Sequence, residues 1–189
     1  ACGYLAYEAN HPDYYTLALL SIMLGGNMSS RLFNEVREKR GLAYSVSSGI
    51  KSLEDTGMFM IRAGVDNNKI VPALKLILKV LAVISSEGVT VDEFKRAKDY
   101  YQGQFLLGLE DTLDHMLWVG DIVLNNEQVK TLPEVVKRIQ AVTMSDIKRV
   151  AAHILNPKRL NVAIIGPLTD LQRKELKVLI GIDKAKFIN

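Results

Sequence analysis

Two strands joined by a short turn constrain the fold of this chain more than any other feature of its sequence. Residues 43–51 alternate between two sets of side chains, residues 56–66 form a second extended run, and SLEDTG between them is typical of a hairpin turn. The full predicted order is β-α-α-β-β-α-α-α-α-β-α, which differs from the regular βαβ alternation of a doubly wound sheet. The sequence therefore predicts an α+β fold in which helices pack on one face of a mostly antiparallel sheet.

The other elements follow from apolar spacing and from capping residues. Gly25, Gly26 and Asn27 are predicted to end the first helix because they accept positive φ, and Thr90 with Glu93 predicts a capping box. The remaining predicted elements are, in order, a strand over 3–9, a helix from Pro12, a helix over 30–40 that Gly41 closes, an amphipathic helix from Ile70 that Gly88 ends, a long helix to Asn125 with a kink near Gly103 or Gly108, helices over 133–141 and 143–155, a strand over 159–166 and a helix over 168–180.

Composition and charge narrow the class of protein. A length of 189 residues with 48% hydrophobic residues predicts a single globular domain over 1–189 with a substantial core. The 24 basic residues are interleaved with 21 acidic ones, so no nucleic-acid partner is predicted. The longest apolar stretches contain lysines and are too short to span a membrane. No signal peptide opens the chain, and a cytoplasmic location is expected.

Metal-binding and nucleophilic motifs are missing from the sequence. Cys2 is the single cysteine, so no internal disulfide framework is predicted, and no G-x-S-x-G motif occurs. The three histidines lie far apart and outside any H-x-x-E-H pattern: His11, His115 and His153. One cluster approaches a metal constellation, and it is interpreted as a solvated acidic helix surface: Glu110, Asp111, Asp114 and His115. The sequence therefore predicts no metal site and no complete catalytic site in this chain.

Residues 25–46 contain two polar side chains at a helix-to-strand corner, Arg37 and Tyr44. A helical wheel places Arg37 on the shoulder of a buried face and predicts that Arg31, Asn34, Glu35 and Glu38 lie in solvent. Tyr44 is predicted to share a strand face with Val46 and Ile50, as a core tyrosine with its hydroxyl in water. Spacing alone favours packing roles for both. The alternative is that a guanidinium and a phenol, both hydrogen-bond donors, hold a peptide carbonyl or its oxyanion.

The stretch LGGNMSSRLFNEVREKRGLAYSV resembles the signature of the second, non-zinc half of M16 peptidases, the pitrilysin and mitochondrial-processing-peptidase-like family. The resemblance continues through TGMFMIRAGVD, VTVDEFKRAKDYYQGQFLLGLED and AVTMSDIKRVAAHILNPKRLNVAIIGP. It therefore covers the chain from about Gly3 to Pro167.

The resemblance implies a pair of similar α+β halves of the LuxS/MPP-like metallohydrolase type, which enclose an unfolded peptide. The first half of such an enzyme carries zinc on H-x-x-E-H and a distant Glu. The second half supplies an Arg and a Tyr to the substrate, and Arg37 and Tyr44 match them in position. These two are therefore predicted to bind substrate.

The missing H-x-x-E-H motif implies that this chain cannot hydrolyse peptides alone, because the zinc ligands and the general base are absent. Zinc is expected in a partner half, either on the same polypeptide or in a separate subunit. The strand that starts at residue 3 without a linker favours an excised C-terminal half. The alternative, also implied by the family, is a non-catalytic scaffold or interaction subunit.

Overall fold

The computed structural model describes residues 1–124 and 129–181 and the backbone of residues 185–188. Within these residues five strands form one sheet in the order β2-β3-β1-β4-β5. The strands are β1 (Cys2–Ala6), β2 (Ser45–Ser52), β3 (Gly57–Gly64), β4 (Asn161–Ile165) and β5 (Ala185–Ile188). The β1–β3, β1–β4 and β2–β3 pairs are antiparallel, and β4–β5 is parallel. The predicted mostly antiparallel sheet is confirmed.

Helices fill most of the remaining chain. A π-helical turn, Ile22–Gly26, continues the first helix, and a short π-helix over Phe33–Glu38 is called the corner helix below. The α-helices are α1 (Tyr14–Ser21), α2 (Ile70–Glu87), α3 (Val91–Leu107), α4 (Thr112–Leu124), α5 (Leu132–Ala141), α6 (Met144–Ile154) and α7 (Asp170–Ile180). The predicted capping box of Thr90 and Glu93 is present at the start of α3.

The two faces of the sheet differ in burial, as expected when helices cover one of them. Tyr4 of β1 lies opposite Phe59 of β3, and both are buried beneath the helices. The next pair, Leu5 and Met58, points to the other face and is exposed. Helix α6 packs against both α1 and α2 on the covered face. The α+β prediction with helices on one face is thereby confirmed.

The predicted long helix is interrupted. Helix α3 ends at Leu107 and α4 begins at Thr112, and Asn125 lies outside the described residues. The break follows Gly108, one of the two positions where a kink is predicted. The Oδ1 of Asp111 accepts a hydrogen bond from the N–H of Leu113 at 2.7 Å. Asp111 therefore caps the start of a new helix, and the helical hydrogen bonds of α3 do not continue into α4.

Gly25 ends the first helical segment for a reason that the sequence did not indicate. Its φ is −160°, so positive φ is not what requires a glycine there. A Cβ at Gly25 would lie 2.5 Å from the backbone nitrogen of Ser48. Glycine therefore allows the π-helical turn to approach β2 closely. This contact fixes the position of the segment that precedes the corner helix.

Candidate functional site

The corner helix is held against the core by its apolar side. Leu32, immediately before it, and Val36 within it have no exposed surface. The carbonyl of Val36 accepts a hydrogen bond from the N–H of Leu42 at 2.9 Å, and that of Arg37 accepts one from Gly41 at 2.9 Å. Gly41 has φ +56°, the left-handed conformation that favours glycine at a helix end. These bonds fix the turn from the corner helix towards β2.

A β-bulge turns Tyr44 outward. The N–H of Tyr44 donates to the carbonyl of Gly64 at 2.8 Å, although the register partner of Gly64 is Ser45. Two residues of this chain segment thus lie opposite one residue of β3, which breaks the alternation before β2. Tyr44 is 66% exposed, whereas Ala43 and Val46 are buried. The prediction that Tyr44 shares a face with Val46 is therefore wrong.

The phenol of Tyr44 belongs to a small polar network. Its hydroxyl donates to Oδ1 of Asp66 at 2.6 Å, and Oδ2 of Asp66 lies 3.8 Å from Nζ of Lys69. Lys69 also donates to the carbonyl of Gly41 at 3.0 Å, which connects the network to the end of the corner helix. The hydrogen bond to Asp66 and the charge of that carboxylate raise the pKa of Tyr44. The phenol is therefore a protonated donor at neutral pH.

Arg37 lies at the same corner and is exposed. Its Cζ is 4.8 Å from the centroid of the Phe33 ring, so the side chain covers apolar surface as its shoulder position predicts. Its Nε is 3.9 Å from Oε1 of Glu38, and 43% of the side chain remains accessible. Its guanidinium makes no hydrogen bond to the described residues. Arg37 and Tyr44 are thus both exposed, at the two ends of the segment that runs from the corner helix to β2, and their binding of substrate stays a prediction.

Arg31 is not the solvated residue that the helical wheel predicts. Its Nε lies 2.6 Å from Oε1 of Glu93, and its Nη2 donates to Oε2 of Glu93 at 2.8 Å and to the carbonyl of Gly88 at 3.1 Å. Both charged side chains are only 19% exposed. The wheel fails because it considers one helix alone, whereas the partner of Arg31 lies 62 residues later at the start of α3.

Two histidines that are distant in sequence lie on either side of one tyrosine. The hydroxyl of Tyr7 is 2.9 Å from Nδ1 of His153, and the Tyr7 ring stacks on His11 with centroids 3.8 Å apart. No acidic group completes this arrangement as a metal site: among residues 1–124 and 129–181, no group of three or more His, Cys, Asp or Glu side chains is placed to hold a metal ion. The described residues therefore do not fit a zinc ion.

The acidic cluster of residues 110–115 has local structural roles. Asp111 caps α4, and the His115 ring lies edge-on to Trp118 with centroids 5.7 Å apart.

Across the described part of the chain, no helix is both long enough and apolar enough to cross a membrane.

Comparison with known sequences places these features in a family. The profile described as "Peptidase M16 inactive domain" matches residues 1–101. An uncharacterized zinc protease of Streptomyces coelicolor is 40% identical over 162 residues, which are 86% of this chain and 35% of the relative. The uncharacterized zinc protease YmxG of Bacillus subtilis is 35% identical over 165 residues, 87% of this chain and 40% of the relative.

A more distant relative is the mitochondrial-processing peptidase subunit alpha of Rattus norvegicus, which is 32% identical over 176 residues, 86% of this chain and 33% of the relative. The chain thus spans only 33% to 40% of the length of these relatives.

Solved structures agree with the sequence comparison. A protease from Helicobacter pylori matches with a TM-score of 0.78 and 26% identity, over 84% of this chain and 38% of that one. A peptidase M16 inactive domain from Pseudomonas fluorescens matches with a TM-score of 0.75 and 27% identity, over 84% of this chain and 39% of that one.

Proposed function

This chain belongs to the peptidase M16 inactive-domain family, and we propose that it is the substrate-binding, catalytically incomplete half of a zinc-dependent endopeptidase. Two relatives that it matches over 35% and 40% of their length are named zinc proteases. The described residues offer no zinc site of their own. Both observations are explained if this chain binds the substrate and a zinc-bearing half supplies the metal.

The exposed corner that carries Arg37 and Tyr44 is the observation that supports the proposal most. Neither side chain is buried in the core, and the hydrogen bonds of Gly41, Asp66 and Lys69 hold the backbone and the phenol in place. The Arg37 guanidinium provides a fork of N–H donors, and the phenol provides an O–H donor. Donors held in advance at the position of a developing oxyanion lower the barrier to peptide cleavage.

The phenol must exchange one acceptor for another in this role. In the structure it donates to Asp66, and that bond is exposed to solvent. A peptide carbonyl or oxyanion that approaches the corner would replace Asp66 as the acceptor, while Lys69 continues to neutralise the carboxylate. Because the pKa of Tyr44 is raised, the phenol keeps its proton for donation over the neutral range.

The proposed partner is a zinc-bearing M16 half, and the proposed substrate is an unfolded peptide held between the two. The partner half is expected to supply the zinc and the general base. It can be joined to this chain or separate from it, since one relative is named as a subunit and others are named as zinc proteases.

The test replaces Tyr44 with Phe in the longer protein or complex that includes the zinc-bearing half. Loss of one oxyanion donor is expected to reduce kcat for peptide cleavage by about 10²–10³. Tyr100→Phe is a matched control, because Tyr100 is an exposed tyrosine on α3 that takes no part in the network of Tyr44, Asp66 and Lys69. An unchanged kcat in Tyr44→Phe would remove the phenol from the mechanism. A complex that binds peptides and never cleaves them would favour the scaffold alternative.

A further inference from the structure

A second site lies behind the corner helix, in a cavity of about 420 Å³ between this helix, α2 and α3. Its apolar wall comes from α2, through Leu76, Val80 and Val83. Its other lining is strongly charged, and Arg37 and Tyr44 do not contribute to it. The basic lining residues are Arg31, Lys39, Arg40, Lys79 and Arg96.

The cavity has an excess of positive charge. Five basic side chains face two acidic ones, Glu35 and Glu93, which leaves three positive charges uncompensated by the lining. Glu93 is committed to Arg31, and Glu35 pairs with both Lys39 and Arg40.

Two of the cations have no counterion in the part of the chain that the structure describes. Among the described residues, neither Lys79 nor Arg96 forms an ion pair, and both are exposed. They line the cavity from different helices, Lys79 from α2 and Arg96 from α3. An anion bound between like charges that line one cavity relieves their mutual repulsion.

We propose that this cavity binds a small phosphate-bearing anion, with Lys79 and Arg96 as its principal ligands. The cavity volume falls within the range of small-molecule sites. An arginine fork and a lysine ammonium are the side chains that proteins use to bind phosphate oxygens. The excess of three positive charges matches a diphosphate better than a single carboxylate, and the α2 wall accommodates an apolar substituent. This inference does not depend on the proposed peptidase role.

Isothermal titration calorimetry on the 189-residue chain tests the proposal, with pyrophosphate as the probe and citrate as the carboxylate comparison, both at low salt. Citrate carries a charge similar to that of pyrophosphate, so it tests whether the cavity selects phosphate oxygens and not charge alone. Pyrophosphate is expected to bind more tightly than citrate, because the guanidinium fork of Arg96 matches phosphate oxygens. Its affinity is expected to fall as salt screens the charges. The double variant Lys79→Met, Arg96→Met should weaken pyrophosphate binding by roughly tenfold or more, because bonds to charged groups are lost. Lys75→Met is the matched control, since Lys75 lies one turn earlier on α2 and does not line the cavity.

Three results would overturn the proposal. The first is no measurable binding of pyrophosphate to the unmodified chain at low salt. The second is binding that the double variant leaves unchanged, or that Lys75→Met weakens equally. The third is citrate binding as tight as that of pyrophosphate, which would assign the cavity to carboxylates. Unaltered thermal unfolding of both variants excludes a folding defect, because all three replaced side chains are exposed.

Discussion

Replacement of Arg31 by Met tests whether a long-range ion pair holds the corner. The guanidinium makes three hydrogen bonds, two to Glu93 and one to the carbonyl of Gly88. Both charged side chains are 19% exposed, so the burial of this ion pair is intermediate between that of a surface pair and that of a fully buried pair. An exposed pair contributes below about 1 kcal/mol, and the removal of one partner of a buried pair costs about 3–5 kcal/mol. We expect Arg31→Met to lower the free energy of unfolding by about 2 kcal/mol.

The pH dependence of this loss identifies its cause. The hydrogen bond from Arg31 is the main reason that the pKa of Glu93 falls from 4.5 to about 2, and burial opposes it. A carboxylate whose pKa is lowered by folding stabilises the protein above its unfolded pKa, and this stability is lost as pH falls through the folded value. In Arg31→Met the bonds from Thr90 remain, but the contribution of Arg31 is gone. The two proteins should therefore converge in stability between about pH 5 and pH 2.

Urea unfolding followed by circular dichroism at several pH values measures both effects. Arg40→Met is the control, because Arg40 pairs with Glu35 at a more exposed position and should cost less than about 1 kcal/mol. A stability loss for Arg31→Met that is the same at neutral and acid pH would refute the argument, because it would assign the loss to packing of the arginine stem. A loss as small as that of Arg40→Met at neutral pH would also refute it.

Two further predictions concern the same corner. Gly25→Ala should lower the free energy of unfolding by roughly 1–3 kcal/mol, because the added Cβ would meet the backbone of Ser48 at 2.5 Å. Gly49→Ala, where no atom lies within 4 Å of the added Cβ, should change thermal unfolding little, and equal effects would contradict the close-approach explanation. Asp66→Asn should lower the pKa of Tyr44 towards its ordinary value, since the hydrogen bond and the charge of Asp66 raise it. NMR titration of labelled tyrosines, with Tyr44→Phe for assignment, measures this shift, and an unchanged pKa would mean that the bond to Asp66 does not form in solution.

Local sequence signals predicted the elements well where each element is determined by its own residues. The hairpin between β2 and β3 follows from alternation and a turn, and the start of α3 follows from Thr90 and Glu93. Gly41 was predicted to close the corner helix and does so with positive φ. In each case the deciding interactions lie within a few residues along the chain.

The prediction failed where a distant segment decides the outcome. The face on which Tyr44 lies depends on a bulge opposite Gly64, which an alternating pattern cannot show. The burial of Arg31 depends on Glu93, whose role in a capping box already explained its presence in the sequence. One residue serves both purposes because Oε2 of Glu93 accepts from Thr90 and from Arg31, while Oε1 accepts from Arg31, and only the structure shows the second use.

Arg37 and Tyr44 illustrate how a short signature and a distant framework combine at this corner. The distance between them along the chain is set by neighbouring residues, namely the corner helix, Gly41 and the bulge at Tyr44. Their exposure is not local, because the supporting contacts come from residues as far away as Asp66 and Glu93. If the proposed donor role is correct, changes in this framework should alter catalysis without contact with substrate. The ion pair of Arg31 with Glu93 supports the start of the corner helix, and the bond of Tyr44 to Asp66 supports the other end. Loss of the former should therefore affect Arg37 first, and loss of the latter should affect the phenol first and the end of the corner helix less, because Lys69 still bonds to the carbonyl of Gly41.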